Sequence, residues 1–219
     1  MNFDDRAETW DDPAKIERAR RVADAIVAAT APTSATTLFE YGAGTGLVTE
    51  ALGERVGPAL LADSSAGMRE VMATKAADGR LPRARITDVD LAAADAEVPA
   101  ARFDLIVTVL TLHHVAELAR VVERFAGMLD PGGHLCVVDL DAEDGSFHGE
   151  GFNGHHGFDR ERFAALLRDA GFEGVEISDC GRLERDGGSY PMFLAVGRLG
   201  MVATTPGNRE PGDPSSLQG

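Results

Sequence analysis

Three observations predict an α/β protein: short apolar runs alternate with amphipathic stretches of helical length, FDLIVTVL is almost continuously apolar, and a glycine-rich turn directly follows the run TTLFEY. The arrangement they favour is a doubly wound, mostly parallel, seven-stranded sheet preceded by an N-terminal helix. Its ligand crevice is expected beyond the carboxyl ends of the strands.

Each element carries its own signal. Asp11-Asp12-Pro13 can cap a helix, and Ile16, Ala19, Val22, Ala23 and Ile26 then recur on one helical face. TTLFEY is the first strand, running into GAGTG and a helix from about Leu47 to Glu54. PALLAD is the second; Ser64 or Ser65 can cap the helix that carries Met68, Val71 and Met72. RARITD suggests the third strand and FDLIVTVL the fourth, apolar enough for the centre of a sheet covered on both faces. A helix from roughly Val115 to Leu129 follows, then a turn at Pro131-Gly132-Gly133 and a fifth strand in HLCVVDL. The Gly-, Asp- and His-rich segment 141–157 breaks the periodicity. FDRERFAALLRDAGF reads as a helix ending near Gly171, with the last strands at Val175 to Ile177 and near Tyr190 to Val196. Residues 1–199 form one expected domain, and 200–219, rich in Pro, Gly and Ser, an expected flexible tail.

Composition limits the function classes. Thirty-six acids against 21 Lys plus Arg leave a formal charge of -15, which opposes phosphate backbones and anionic lipid, so no nucleic-acid or membrane partner is expected. No stretch approaches the roughly 18 to 20 apolar residues of a spanning helix, and the acidic opening lacks a basic leader pattern. A cytoplasmic protein, monomeric or homodimeric, is the expectation. Cys136 and Cys180 carry no activation motif, and Cys136 sits in an apolar strand.

Glu40-Tyr41-Gly42-Ala43-Gly44-Thr45-Gly46 lets the backbone turn sharply and approach a ligand where side chains would collide. A dinucleotide fingerprint would place its third glycine at position 47, where Leu47 stands, and no Gly-Lys-Ser/Thr ending marks a P-loop. Asp63, at the end of the second strand, can accept bonds from two ribose hydroxyls, so the expected ligand contains a nucleoside.

On these residues the chain resembles class I S-adenosylmethionine-dependent methyltransferases of the small-molecule type, over about Phe3 to Val196. In that pattern EYGAGTG looks like the first cofactor motif. The resemblance implies S-adenosyl-L-methionine as cofactor, with Gly42, Gly44 and Gly46 at its methionyl and ribose parts and Glu40 supporting the amino-acid part. It makes Asp63 the ribose acid, with Ser64 and Met68 beside it. Asp88 in ITDVD matches the acid that bonds the adenine amino group, with Val89 for the adjacent backbone contact and Asp90 as the register alternative. FDLIVTVLTLHHV and LDPGGHLCVVD match later segments in the expected order. FDDRAETWDDP resembles the opening of small-molecule members, in which Trp10 closes over the methionyl end as part of a lid and Phe3 lines the acceptor side; Trp10 can equally anchor the first helix. TLHH stands where nucleic-acid methyltransferases carry a proline-and-aromatic tetrapeptide, which argues against exocyclic base amines as acceptors.

The implied reaction is direct in-line methyl transfer to a small organic acceptor. His114, after the fourth strand, is a candidate for proton transfer, and His113 a lesser one. His148, His155 and His156 lie on the expected acceptor side, and His156 is the second catalytic candidate. No metal site is assigned, because the stretch lacks H-x-x-x-H or multiple-cysteine spacing; His148 and His156 with Asp139 or Asp141 remain a combination that folding would have to bring together. Asp159, Arg160 and Glu161 read as capping and charge pairing. An NAD-linked oxidoreductase and a non-catalytic nucleoside-binding regulator are the alternatives.

Overall fold

The computed structural model describes residues 4–149 and 151–201. Phe3 and nearly all of the expected tail lie outside them. Five helices and seven strands alternate in the expected order: α1 (Pro13–Thr30), β1 (Leu38–Tyr41), α2 (Leu47–Leu52), β2 (Ala59–Ala62), α3 (Ala66–Ala77), β3 (Ala84–Thr87), β4 (Phe103–Val109), α4 (Leu118–Met128), β5 (Leu129–Leu140), α5 (Arg160–Asp169), β6 (Phe172–Arg185) and β7 (Gly188–Leu199). A 3-10 turn at Asp4–Thr9 precedes α1.

The strands form one sheet in the order β3-β2-β1-β4-β5-β7-β6. All neighbours are parallel except β7, which runs antiparallel to both β5 and β6. Chain order reverses between β1 and β4, which opens a crevice beyond their carboxyl ends. The doubly wound, mostly parallel, seven-stranded Rossmann-like expectation therefore holds.

Period-two alternation sends β1 to both faces of the sheet. Leu38 joins Ala19, Val22 and Ile26 of α1 with Leu61, Val107 and Val138 on one side. Phe39 joins Ile106, Val121, Phe125, Val137 and Phe193 on the other. The cap of α1 forms as its sequence signals: the Asp12 carboxylate accepts from the Lys15 amide at 2.8 Å, with Pro13 opening the helix. Ser65, not Ser64, caps α3 through the Met68 amide.

The C-terminal strands are longer than their apolar runs. Pro131-Gly132-Gly133 does not end a strand: β5 begins at Leu129, and the pairing with β4 jumps from Phe103↔Leu129 to Leu105↔His134, so the turn residues are absorbed as a bulge. Strands β6 and β7 make a long hairpin whose turn carries Asp186 at φ 50 and Gly187 at φ 80. No helix among the described residues is long and apolar enough to cross a membrane.

Candidate active site

A cavity of about 350 Å³ opens at the switch point of the sheet. Its wall is built from the carboxyl ends of β1, β2 and β4, the loop after β3, and α1: Trp10, Lys15, Arg18, Glu40, Gly42, Ala43, Gly44, Asp63, Ser64, Met68, Val89, Asp90, Leu110, Thr111, His114 and Val115 are among its residues.

The three glycines of the turn all have positive φ but face different surroundings. A Cβ on Gly44 would meet only Trp10 Nε1, at 3.8 Å, so this position leaves backbone open to the cavity. On Gly42 it would stand 2.2 Å from Thr111 Oγ1, because the loop after β4 packs against it. Gly46 does not line the cavity; its Cβ would meet Leu81 at 3.0 Å, Met72 at 3.4 Å and Leu61 at 3.5 Å, so it serves close packing of the turn against α3 and β2.

The Asp63 carboxylate accepts from the Gly44 amide at 2.7 Å and from the Ser65 amide at 2.9 Å. Burial raises its pKa, and those two bonds oppose the shift. Each oxygen keeps a lone pair for a hydroxyl. Glu40 is fully buried and accepts from the Thr49 amide at 3.1 Å and from the Thr49 hydroxyl. Burial pushes its carboxyl up to about 7, against those same bonds.

Asp88 is exposed and does not line the cavity, whereas Val89 and Asp90 do, so the register alternative is the one the fold brings to the site. Asp90 is itself fixed, accepting from the Tyr41 hydroxyl at 3.1 Å and the Ala92 amide at 2.9 Å. Trp10 is half-buried on the cavity wall, with Lys15 Nζ 4.8 Å and Arg6 5.5 Å from its ring centroid. The chain on both sides of it is fastened to α3: before it Asp4 accepts from the Ser65 hydroxyl at 2.5 Å and the Gly67 amide at 2.9 Å, and after it Asp11 pairs with buried Lys75 at 2.6 Å.

His114 lines the cavity, and burial beside His113 and His148 pushes its pKa down to about 3. Its side chain is exposed at the cavity, so the fold brings this proton-transfer candidate to the site. His156 does not reach the cavity; Glu143 holds its Nδ1 at 3.2 Å. The expectation that it acts on the acceptor finds no geometry here, because the 141–157 segment folds it against its own strand of loop. Cys136 is buried and its thiol pushed up to about 12. The sequence reading missed Lys15 and Arg18, half-buried cations on the cavity side of α1; their spacing of three residues on the helix was the available signal.

The methyltransferase-domain family model matches residues 15–177. The chain belongs to this family of class I, S-adenosylmethionine-dependent methyltransferases. An uncharacterized methyltransferase of Schizosaccharomyces pombe is 25% identical over 158 residues, covering 66% of this chain and 56% of that protein. One of Mycobacterium tuberculosis is 30% identical over 115 residues, covering 52% of this chain and 56% of that protein. The match thus spans little more than half the length of either relative. Among solved structures, the [4+2]-cyclase SpnF superposes with a TM-score of 0.69 at 17% identity, over 84% of this chain and 82% of that one. As a [4+2]-cyclase, that protein carries different chemistry on the same fold.

Proposed function

We propose that the chain binds S-adenosylmethionine in the cavity at the switch point and transfers its methyl group in line to a small organic acceptor. The observation that carries this is the fit of the cavity wall: an open glycine at Gly44 beside the Asp63 carboxylate, with a buried acid and two cations on the same cavity. The cofactor supplies a sulfonium-bound methyl group that a nucleophile can displace.

The chain's residues divide the remaining work. Asp63 accepts the ribose hydroxyls while its own backbone bonds hold it in place. Val89 and Asp90 take the adenine side, and Ser64 and Met68 line the passage between. Lys15 and Arg18 suit the carboxylate of the methionyl part, Glu40 its cationic groups, and Trp10 covers it. Leu110 and Val115 exclude water from the reacting end, and His114 stands on the same wall. The charge of -15 disfavours a nucleic acid as acceptor.

Calorimetric titration with S-adenosylmethionine, S-adenosylhomocysteine and NAD tests the binding step, with methyl-labelled cofactor and a panel of small hydroxyl, amine and carboxylate acceptors for transfer. Saturable binding of the adenosyl compounds, lost in folded Gly44→Asp and Asp63→Ala, is expected. Binding of NAD alone overturns the reading.

A further inference from the structure

Beside the cavity the fold assembles a cluster that no sequence spacing announces. His113 and His114 follow β4, His148 follows β5, and one ring nitrogen of each lies within 4.8 Å of the others. The ring centroids form a triangle of 4.2 Å between His113 and His114 and 5.1 Å from each to His148.

Two independent observations point to a ligand. His113 Nδ1 sits 2.6 Å from Asp139 Oδ1, with both side chains buried. Asp139 Oδ1 also accepts the Leu140 amide at 2.8 Å, so the carboxylate is held as an acceptor and Nδ1 carries the proton. The lone pair of His113 is then on Nε2. A carboxylate behind an imidazole in this way fixes the tautomer and raises the basicity of metal-ligating histidines. Secondly, His148 Nε2 is buried and without a hydrogen-bond partner among the described residues. Its ring is clamped, stacked on Phe152 at 3.8 Å and 16° and met edge-on by Phe147 at 4.8 Å. A buried, unsatisfied nitrogen is costly unless something binds it.

We propose that His113, His114 and His148 bind one divalent first-row transition ion, with Asp139 orienting His113. Imidazoles favour zinc, cobalt, nickel or copper over magnesium and calcium, which take oxygen ligands. Zinc–nitrogen bonds of about 2.0–2.1 Å in tetrahedral geometry set nitrogens about 3.3 Å apart. Movement of His114, the exposed member of the three, would draw the nitrogens from within 4.8 Å toward that spacing. Three protein ligands leave a coordination position open. His114 is shared with the cavity wall, so that position adjoins the reacting end. There the ion would lower the pKa of an acceptor hydroxyl, a consequence that rests on the proposed methyl transfer, whereas the ion site itself does not.

The test uses untagged, chelator-stripped protein titrated with Zn²⁺ by calorimetry and with Co²⁺ by visible absorption. One ion per chain is expected, with intense low-symmetry cobalt bands and no competition from Mg²⁺. His148→Ala, in a partly exposed loop, should weaken binding at least about 100-fold. Asp139→Asn should weaken it about 10- to 100-fold. His134→Gln, on β5 away from the cluster, should leave it unchanged. Circular dichroism melts establish that each variant is folded. Absence of saturable binding, or binding equally tight in folded His148→Ala, overturns the proposal. Titration with S-adenosylhomocysteine in the absence of metal reads the cofactor site separately.

Discussion

Gly42, Gly44 and Gly46 show how one residue type answers three demands within five positions. All three backbones sit at positive φ, which costs an ordinary L-residue about 1–2 kcal/mol. Only at Gly42 would a methyl group also strike a β-branched neighbour, Thr111, at 2.2 Å. Gly42→Ala should therefore lower stability by about 2–4 kcal/mol, adding overpacking to strain. Gly44→Ala should cost only the strain yet weaken cofactor binding at least about tenfold, because its methyl enters open cavity. Thermal melts and calorimetry on the two variants separate these outcomes. Glu40 poses a different conflict. Burial holds its folded pKa at about 7, above the ordinary value of about 4.5, so its contribution to stability is full below about pH 4.5 and is lost as pH rises through 7. The difference corresponds to a few kcal/mol at the level of about 1.4 kcal/mol per pKa unit. Glu40→Gln should melt higher than wild type at pH 8 and equal or lower at pH 4.5, while binding the cationic cofactor more weakly. Cofactor binding at pH 7 should also release protons from the wild type and fewer from the variant, as calorimetry in buffers of different ionisation enthalpy reads.

Among the elements, the piece before α1 has the most at stake for the site, since it carries Trp10. It lies close against α3: a Cβ on Gly67 would come 3.0 Å from the Asp4 carbonyl oxygen and 3.2 Å from the Ala7 Cβ. Gly67→Val should pry this segment away with a small change in global melting. Cleavage near residues 4–11 in limited proteolysis should accelerate, and cofactor affinity should fall by about tenfold. Unchanged proteolysis would show that Trp10 is held by other contacts. The same element shows what a sequence makes legible. Asp12-Pro13 and the apolar stripe through Ile26 announce α1 because capping and burial act within a few residues. The central strands and the turn into α2 are equally plain, since apolar runs and glycines record burial and backbone shape. Strand β6 is not: over Phe172–Arg185 its side chains are mostly exposed or half-exposed, and backbone pairing with β7 holds it, so EISDCGRLER carries little periodic signal. The histidine cluster was hidden for a related reason. Its members come from two loops joined only when β4 and β5 pair, and Asp139 meets His113 across that pairing.

At the scale of the whole molecule, the cavity divides the chain unequally. Every residue of its wall lies between Trp10 and Ala116, although the sheet continues through β5, β7 and β6. The cavity is thus a set of loops at the ends of β1, β2, β3 and β4, closed by α1, while the remaining strands support it from the side. A ligand that binds only the folded state stabilises it by about 2.7 kcal/mol at 100 times its Kd. For a chain of this size each kcal/mol corresponds to about 2–4 °C, so saturating S-adenosylhomocysteine should raise the melting temperature by about 5–10 °C. Local protection should be less uniform than that global shift. Amide exchange in the turn 42–46, at 63–68, at 89–92 and at 110–116 should slow by at least about tenfold, because these segments open locally and the ligand ties them together. No residue of the β6–β7 hairpin lines the cavity, and the fraying amides near its turn at Asp186 and Gly187 should change by less than about twofold. Asp63→Asn, which keeps one carbonyl acceptor for the backbone, should melt within a few degrees of wild type while losing most of the shift and the protection. Equal slowing of the hairpin and the cavity loops would instead mean that the whole sheet opens as one unit, and that the cofactor's hold extends to strands that line no part of the cavity.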